Sequence, residues 1–104
     1  MTKIFVYGTS LTTGGRYNQY YLQGKISLGK GFLDGYKRYI LGGLDGIHPE
    51  KGGRVKGELY EVDQAALAKL DFFHNIGSHF SRKIVDVELE NGETLQADAY
   101  IWNG

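Results

Sequence analysis

Few residues of this chain can do chemistry. There is no Cys, which excludes a thiolate nucleophile, a disulfide scaffold, an iron–sulfur cluster and a Cys-based zinc site. Three His residues remain: His48, His74 and His79. His74 and His79 stand five apart across an expected helix end, which is not the spacing of a metal pair on one helical face. No metal ligands and no cofactor are therefore expected. A neutral imidazole, with an ordinary pKa of about 6.5, is a competent general base near neutrality. Ser10 with His74 would make a nucleophile and base, but the sequence marks no acid to orient such a pair. The segment Phe5-Val-Tyr-Gly-Thr-Ser10 carries a different chemistry. A strand that runs into a Gly-containing turn exposes successive backbone N–H groups, which can hold a carboxylate or a phosphate. Tyr17, Tyr20 and Tyr21, with Tyr36 and Tyr39, suit core and rim packing, base stacking or an oligomer interface.

These residues need elements to position them. Lys3 to Tyr7 is nearly all apolar and reads as a central strand buried on both faces. Gly8 to Gly15 reads as a loop of small and hydroxyl residues, followed by a short helix over Tyr17–Gln23 that Gly24 stops. Ile26–Leu33 and Tyr36–Leu41 are expected strands, joined as a hairpin at Asp34-Gly35. Gly42 to Gly53 is expected to be a long loop. Val55–Val62 is a further strand. Asp63 then caps a helix whose Ala66, Leu67, Leu70 and Phe73 form a core-facing stripe, and which fails near Asn75–Gly77. Val85, Val87 and Leu89 alternate with acids, and Leu95, Ala97, Ala99 and Ile101 alternate with mostly polar residues. Asn91-Gly92 between the two runs signals a hairpin.

Length and composition frame the reading. At 104 residues the chain forms one domain, residues 1–104, with one modest core. Hydrophobic residues make up 41% and charged residues 23%, an ordinary globular balance. No apolar run approaches the roughly 20 residues of a membrane helix, and no signal-peptide pattern leads the chain, so a cytoplasmic protein without a membrane partner is expected. The formal net charge is zero, but it is unevenly spread. Residues 25–56 carry seven basic groups against Asp34, Asp45 and Glu50, whereas residues 57–104 carry three basic and nine acidic groups. A basic first half suits a small anionic ligand. A nucleic-acid polymer is not expected, because net positive charge and basic runs are both missing.

Further stretches fall in a telling order: Tyr7-Gly-Thr9, Asn18, Gly57-Glu-Leu-Tyr-Glu-Val-Asp63, Leu70-Asp71, Phe80-Ser-Arg82 and Tyr100-Ile-Trp102. No single piece is specific. The ordered set resembles the gamma-glutamylcyclotransferase-like (AIG2-like) family over nearly the whole chain. The resemblance implies an α+β fold, a small mixed β-barrel with flanking short helices. It also implies a pocket where the first strand meets the Tyr-Gly-Thr loop. Family members cleave a γ-glutamyl amide by attack of its own α-amine and release 5-oxoproline, with neither metal nor cofactor. A Glu three residues after the Leu-Asp acid serves as general base, and the loop backbone holds the substrate carboxylate.

At that decisive position the chain departs. Leu70-Asp-Phe-Phe-His74 places His74 where the family carries the catalytic Glu. Glu both accepts the proton and holds the α-ammonium by its charge. A neutral His offers no such charge, and losing one ionic hydrogen bond costs roughly 1.5–3 kcal/mol. At a helix end either His or Glu should be tolerated. His74 therefore has three readings: a surrogate catalytic base, a partly buried structural residue, or a contact to an anionic ligand. The expected ligand-binding residues are Tyr7, Gly8, Thr9, Ser10, Asn18, His74 and Arg82. A basic side chain should close the site, from among Arg82, Arg38 and Arg16, with Arg82 favoured and a surface ion pair as its alternative. Two functions remain open. One is a protein that binds a small polar or anionic ligand without turning it over, as in sequestering a nucleotide-type signal. The other is an active cyclotransferase with His74 as base. A homo-oligomer is compatible with so small and aromatic a core.

Overall fold

Strand β1 (Thr2–Tyr7) opens the fold. Its residues from Ile4 to Tyr7 are at most 4% exposed, as an all-apolar run between two packed layers must be. The computed structural model describes residues 1–41, 44–74 and 76–103. After β1 come α1 (Gly8–Leu11), α2 (Asn18–Leu22), β2 (Ile26–Leu41), β3 (Leu44–Val62), α3 (Gln64–Phe73), β4 (Phe80–Leu89) and β5 (Thr94–Trp102). The five strands close into a barrel in the order β1-β3-β2-β4-β5, and a parallel pairing of β1 with β5 completes the circle. The expected small mixed barrel with short flanking helices is thus the fold.

The alternation of side chains along each strand divides the core. Phe5, Tyr7, Leu59, Val87 and Ala99 point into the barrel with Leu33, Ile47 and Val55. Ile4, Val6, Tyr60 and Tyr100 point outward, beneath Leu22, Leu67 and Leu70 of the helices. Full burial of one large apolar side chain stabilises by about 1.5–3 kcal/mol, so both layers are needed in so short a chain. Helix α3 begins as expected. Asp63 accepts the Ala66 N–H at 2.8 Å, and Ala66, Leu67 and Leu70 are buried while Phe73 packs partly against the same layer.

Three expected features change. Asp34-Gly35 is not a hairpin turn. β2 continues through it as a bulge, with a register shift between Asp34 and Tyr36 and Gly35 at φ +87°. A Gly in the left-handed region opens a β-bulge as readily as a turn, and the pairing partner decides which. That partner is the segment expected to be a loop. β3 starts at Leu44, and Tyr36–Leu41 pairs with Leu44–Pro49 as a two-stranded arm extending the barrel. Residues 42 and 43, where that expectation placed the start of the loop, lie outside the described residues. Gly8–Leu11, expected to be loop, forms a single helical turn. The Asn91-Gly92 hairpin is present, closed by Gly92 N–H to Leu89 O at 2.9 Å and Leu89 N–H to Glu93 O at 2.7 Å. Among the described residues, no helix is long and apolar enough to cross a membrane.

Candidate functional site

The loop after β1 is shaped by a buried carboxylate. Glu58, only 8% exposed, accepts the Thr13 N–H at 2.9 Å and 3.0 Å and the Thr13 hydroxyl at 3.0 Å. The Tyr60 hydroxyl donates to it at 2.9 Å. A buried charge needs such partners, and here they tie the loop to β3. Asn18 adds a second tie, donating its side-chain amide to Leu11 O at 2.7 Å and to the Tyr60 hydroxyl at 3.3 Å. The Thr12 hydroxyl donates to Gly8 O at 2.6 Å. Gly8 itself sits at φ +82°, and a Cβ there would collide with the carboxylate of Asp45. Both facts require glycine.

β1 ends opposite Gly57, so residues 54–56 of β3 have no strand on that side. A cavity of about 330 Å³ opens there, with Gly8, Thr12 and Gly57 in its wall. Lys30, Arg38, Arg54 and Lys56 also line it, against Glu58 as the lining acid. Arg54 pairs with Asp34 at 2.8 Å and Glu88 at 2.9 Å and lies over the Phe32 ring at 4.3 Å. Arg38 pairs with Asp45 at 3.1 Å. Among the described residues, Lys30 and Lys56 have no carboxylate partner. The wall therefore presents two lysine ammonium groups that an anion could neutralise, beside two arginines already paired with carboxylates, in a volume typical of small-molecule sites.

His74 is not among the residues that line this cavity. It caps α3 and is 2% exposed. Its ring stacks on Tyr100, with centroids 3.7 Å apart and planes 4° from parallel, and meets the edges of Phe73 and Phe80. Nδ1 lies 2.8 Å from Leu70 O, an acceptor, so Nδ1 carries the proton. Burial pushes the ring's pKa down to about 4, against the opposing pull of the Leu70 carbonyl and the Asp71 carboxylate. His74 is thus a neutral, enclosed imidazole. Where the sequence suggests a helix end open to either His or Glu, the fold closes an aromatic box over the ring.

Of the seven expected ligand-binding residues, Gly8 lines the cavity. Thr9 contributes its backbone N–H next to it, donated to Asp45 Oδ2 at 3.1 Å. Tyr7 is buried, and its hydroxyl donates to Tyr100 O at 2.6 Å. Burial and the Asp45 carboxylate hold that hydroxyl protonated far above its ordinary range. Ser10 accepts the Tyr17 N–H at its carbonyl, at 2.9 Å. Asn18 braces the loop. Arg82 is joined to Asp71 at 3.0 Å and to Asp98, and the Tyr100 hydroxyl donates to the same Asp71 at 2.7 Å. Of the three arginines expected to close the site, Arg38 lines the cavity, together with Arg54, while Arg82 does not and Arg16 lies over the Tyr17 ring at 5.5 Å. Sequence reasoning did not single out Lys30, Arg54, Lys56 or Asp45 as site residues. The signal that pointed to the three cations was the excess of basic groups over residues 25–56; nothing in the sequence pointed to Asp45. Among the described residues, no group of three or more His, Asp or Glu could hold a metal ion.

The profile described as "Gamma-glutamyl cyclotransferase, AIG2-like" matches residues 4–104. The chain belongs to this family. It is 36% identical over 83 residues to a gamma-glutamylcyclotransferase family protein of Citrobacter rodentium, covering 80% of this chain and 70% of the relative. It is 31% identical over 103 residues to a putative gamma-glutamylcyclotransferase of Methanocaldococcus jannaschii, covering 98% and 85%. Among solved structures, an AIG2-like protein from Mus musculus superposes with a TM-score of 0.87 at 30% identity, covering 99% of this chain and 78% of that one. The matched stretch contains the Tyr-Gly-Thr loop, the Gly57-Glu-Leu-Tyr segment, His74 and Arg82.

Proposed function

We propose that this family member captures a small, multiply anionic ligand in the cavity beside Gly8 and does not cyclise it, as a protein that sequesters a nucleotide-type anion would. The observation that carries this reading is the wall itself, with Lys30, Arg38, Arg54 and Lys56 converging on about 330 Å³. Phosphate groups match two lysines that have no carboxylate partner among the described residues. The absence of turnover is supported by His74. A base that is enclosed, neutral and pushed down to about 4 takes up protons poorly at pH 7, and it offers no charge to an ammonium.

Calorimetric titration with ATP and with inorganic pyrophosphate tests binding. Affinity should fall at least about tenfold between 25 and 300 mM NaCl, because exposed charges are screened within roughly 8–10 Å near physiological salt. Failure of both anions to bind, or binding indifferent to salt, would remove the reading. Native mass spectrometry of protein purified from cells looks for the ligand directly. Release of 5-oxoproline from γ-glutamyl amides at about 1 per second or faster would overturn the non-turnover half.

A further inference from the structure

Two residues of the cavity wall, Gly8 and Arg38, both touch a third residue, Asp45 of β3. Asp45 is 8% exposed. Its Oδ2 accepts the Thr9 N–H at 3.1 Å, and its Oδ1 accepts from Arg38 Nη1 at 3.1 Å. One carboxylate of the chain thus occupies a backbone amide at the loop and one of the four cations of the wall. A buried carboxylate held by an amide and a guanidinium has the donor set that an incoming oxyanion would seek. Gly8, which no side chain could replace without striking Asp45, lets the carboxylate approach this closely.

We propose that Asp45 is an internal occupant of the anion site. It holds Arg38 and the Thr9 N–H while the cavity is free, and a ligand oxyanion must displace it to gain them. The inference rests on the reading of the cavity as an anion site and adds what sets its affinity. Asp45 weakens capture twice, by neutralising Arg38 and by repelling a second negative charge. It also discriminates, because a single weak charge gains too little from Lys30 and Lys56 to expel a carboxylate that already has two good donors.

The test compares the unaltered protein, Asp45→Asn and Asp45→Asn/Arg38→Gln by calorimetric titration with inorganic pyrophosphate at 25 mM NaCl. Asp45→Asn should bind about tenfold tighter or better, the size of one charge-assisted hydrogen bond, and the added Arg38→Gln should erase the gain. Equal or weaker binding by a folded Asp45→Asn overturns the proposal. A measurement on the unaltered chain covers a variant that does not fold. On titration with pyrophosphate, the Thr9 amide and Asp45 carboxyl carbon resonances should shift with the binding midpoint, and resonances that stay in place overturn displacement. The two readings fail separately. An unaltered protein that ignores pyrophosphate while Asp45→Asn binds it supports the internal occupant and overturns anion capture by the native chain. Equal binding by both overturns the occupant and leaves the anion site standing. If neither binds, both readings fall.

Discussion

Acid should unfold this protein through His74 in a way that one substitution can isolate. In the native state the ring is neutral, because burial pushes its pKa down to about 4. In the unfolded chain it returns to about 6.5. Between these two values the unfolded state binds the extra proton, so stability rises with pH across that window. The contribution is fully present above pH 6.5 and is lost as pH falls towards 4. The difference corresponds to about 3 kcal/mol, roughly a fifth to three fifths of the stability of a domain this size. His74→Phe is the informative variant. It keeps an aromatic ring for the Tyr100 stack and gives up the hydrogen bond to Leu70 O, worth about 1 kcal/mol. At pH 7 the unaltered protein should be the more stable by about 1 kcal/mol. At pH 4 the order should reverse, with the Phe variant ahead by about 2 kcal/mol. Urea unfolding followed by far-ultraviolet circular dichroism at pH 4, 5, 6 and 7 measures both. Carboxylates that titrate in this range act on both proteins alike and cancel in the difference. A gap between the two that is the same at pH 4 and pH 7 would refute the enclosed neutral imidazole.

Three further outcomes follow from the same geometry. Glu58→Ala should cost about 3 kcal/mol in urea unfolding, since it orphans the Thr13 N–H and the Tyr60 hydroxyl, and protease should then cut within residues 12–17; a cost below about 0.5 kcal/mol would remove the loop tie. Gly8→Ala should destabilise by about 1–3 kcal/mol, because the backbone sits at φ +82° and the new Cβ meets Asp45, and a variant as stable as the parent by thermal melting would contradict that approach. His74→Glu should lose at least about 3 kcal/mol at pH 7 and release no 5-oxoproline, since it sets a carboxylate in an aromatic enclosure; a stable variant that does release it would place His74 in a reactive site after all.

Much of the scaffold was open to reading from residue order alone. Val85, Val87 and Leu89 alternate with acids, and period-two alternation has one cheap solution, a strand with a single buried face. Asp63 ahead of Gln-Ala-Ala-Leu signalled its own cap, because capping joins residues three apart and needs no distant partner. The ordered motifs named the family, since each motif is local and only their order had to be recognised. What failed was whatever depended on a partner far along the chain. Asp34-Gly35 reads equally as a turn or a bulge until β3 pairs across it. His74 reads equally as a base, a partly buried structural residue or a ligand contact until Tyr100, on the last strand, stacks against it. Arg82 looks free to take a ligand until the barrel brings Asp71 and Asp98 to it. The four cations of the cavity span residues 30–56 and form no motif. The register of β2 on β3, and the end of β1 at Gly57, turn them into one wall. Backbone preferences are set within a few residues, and sequence determines those directly. Burial and charge pairing are properties of surfaces that meet only when the barrel closes, and only the tertiary structure decides them.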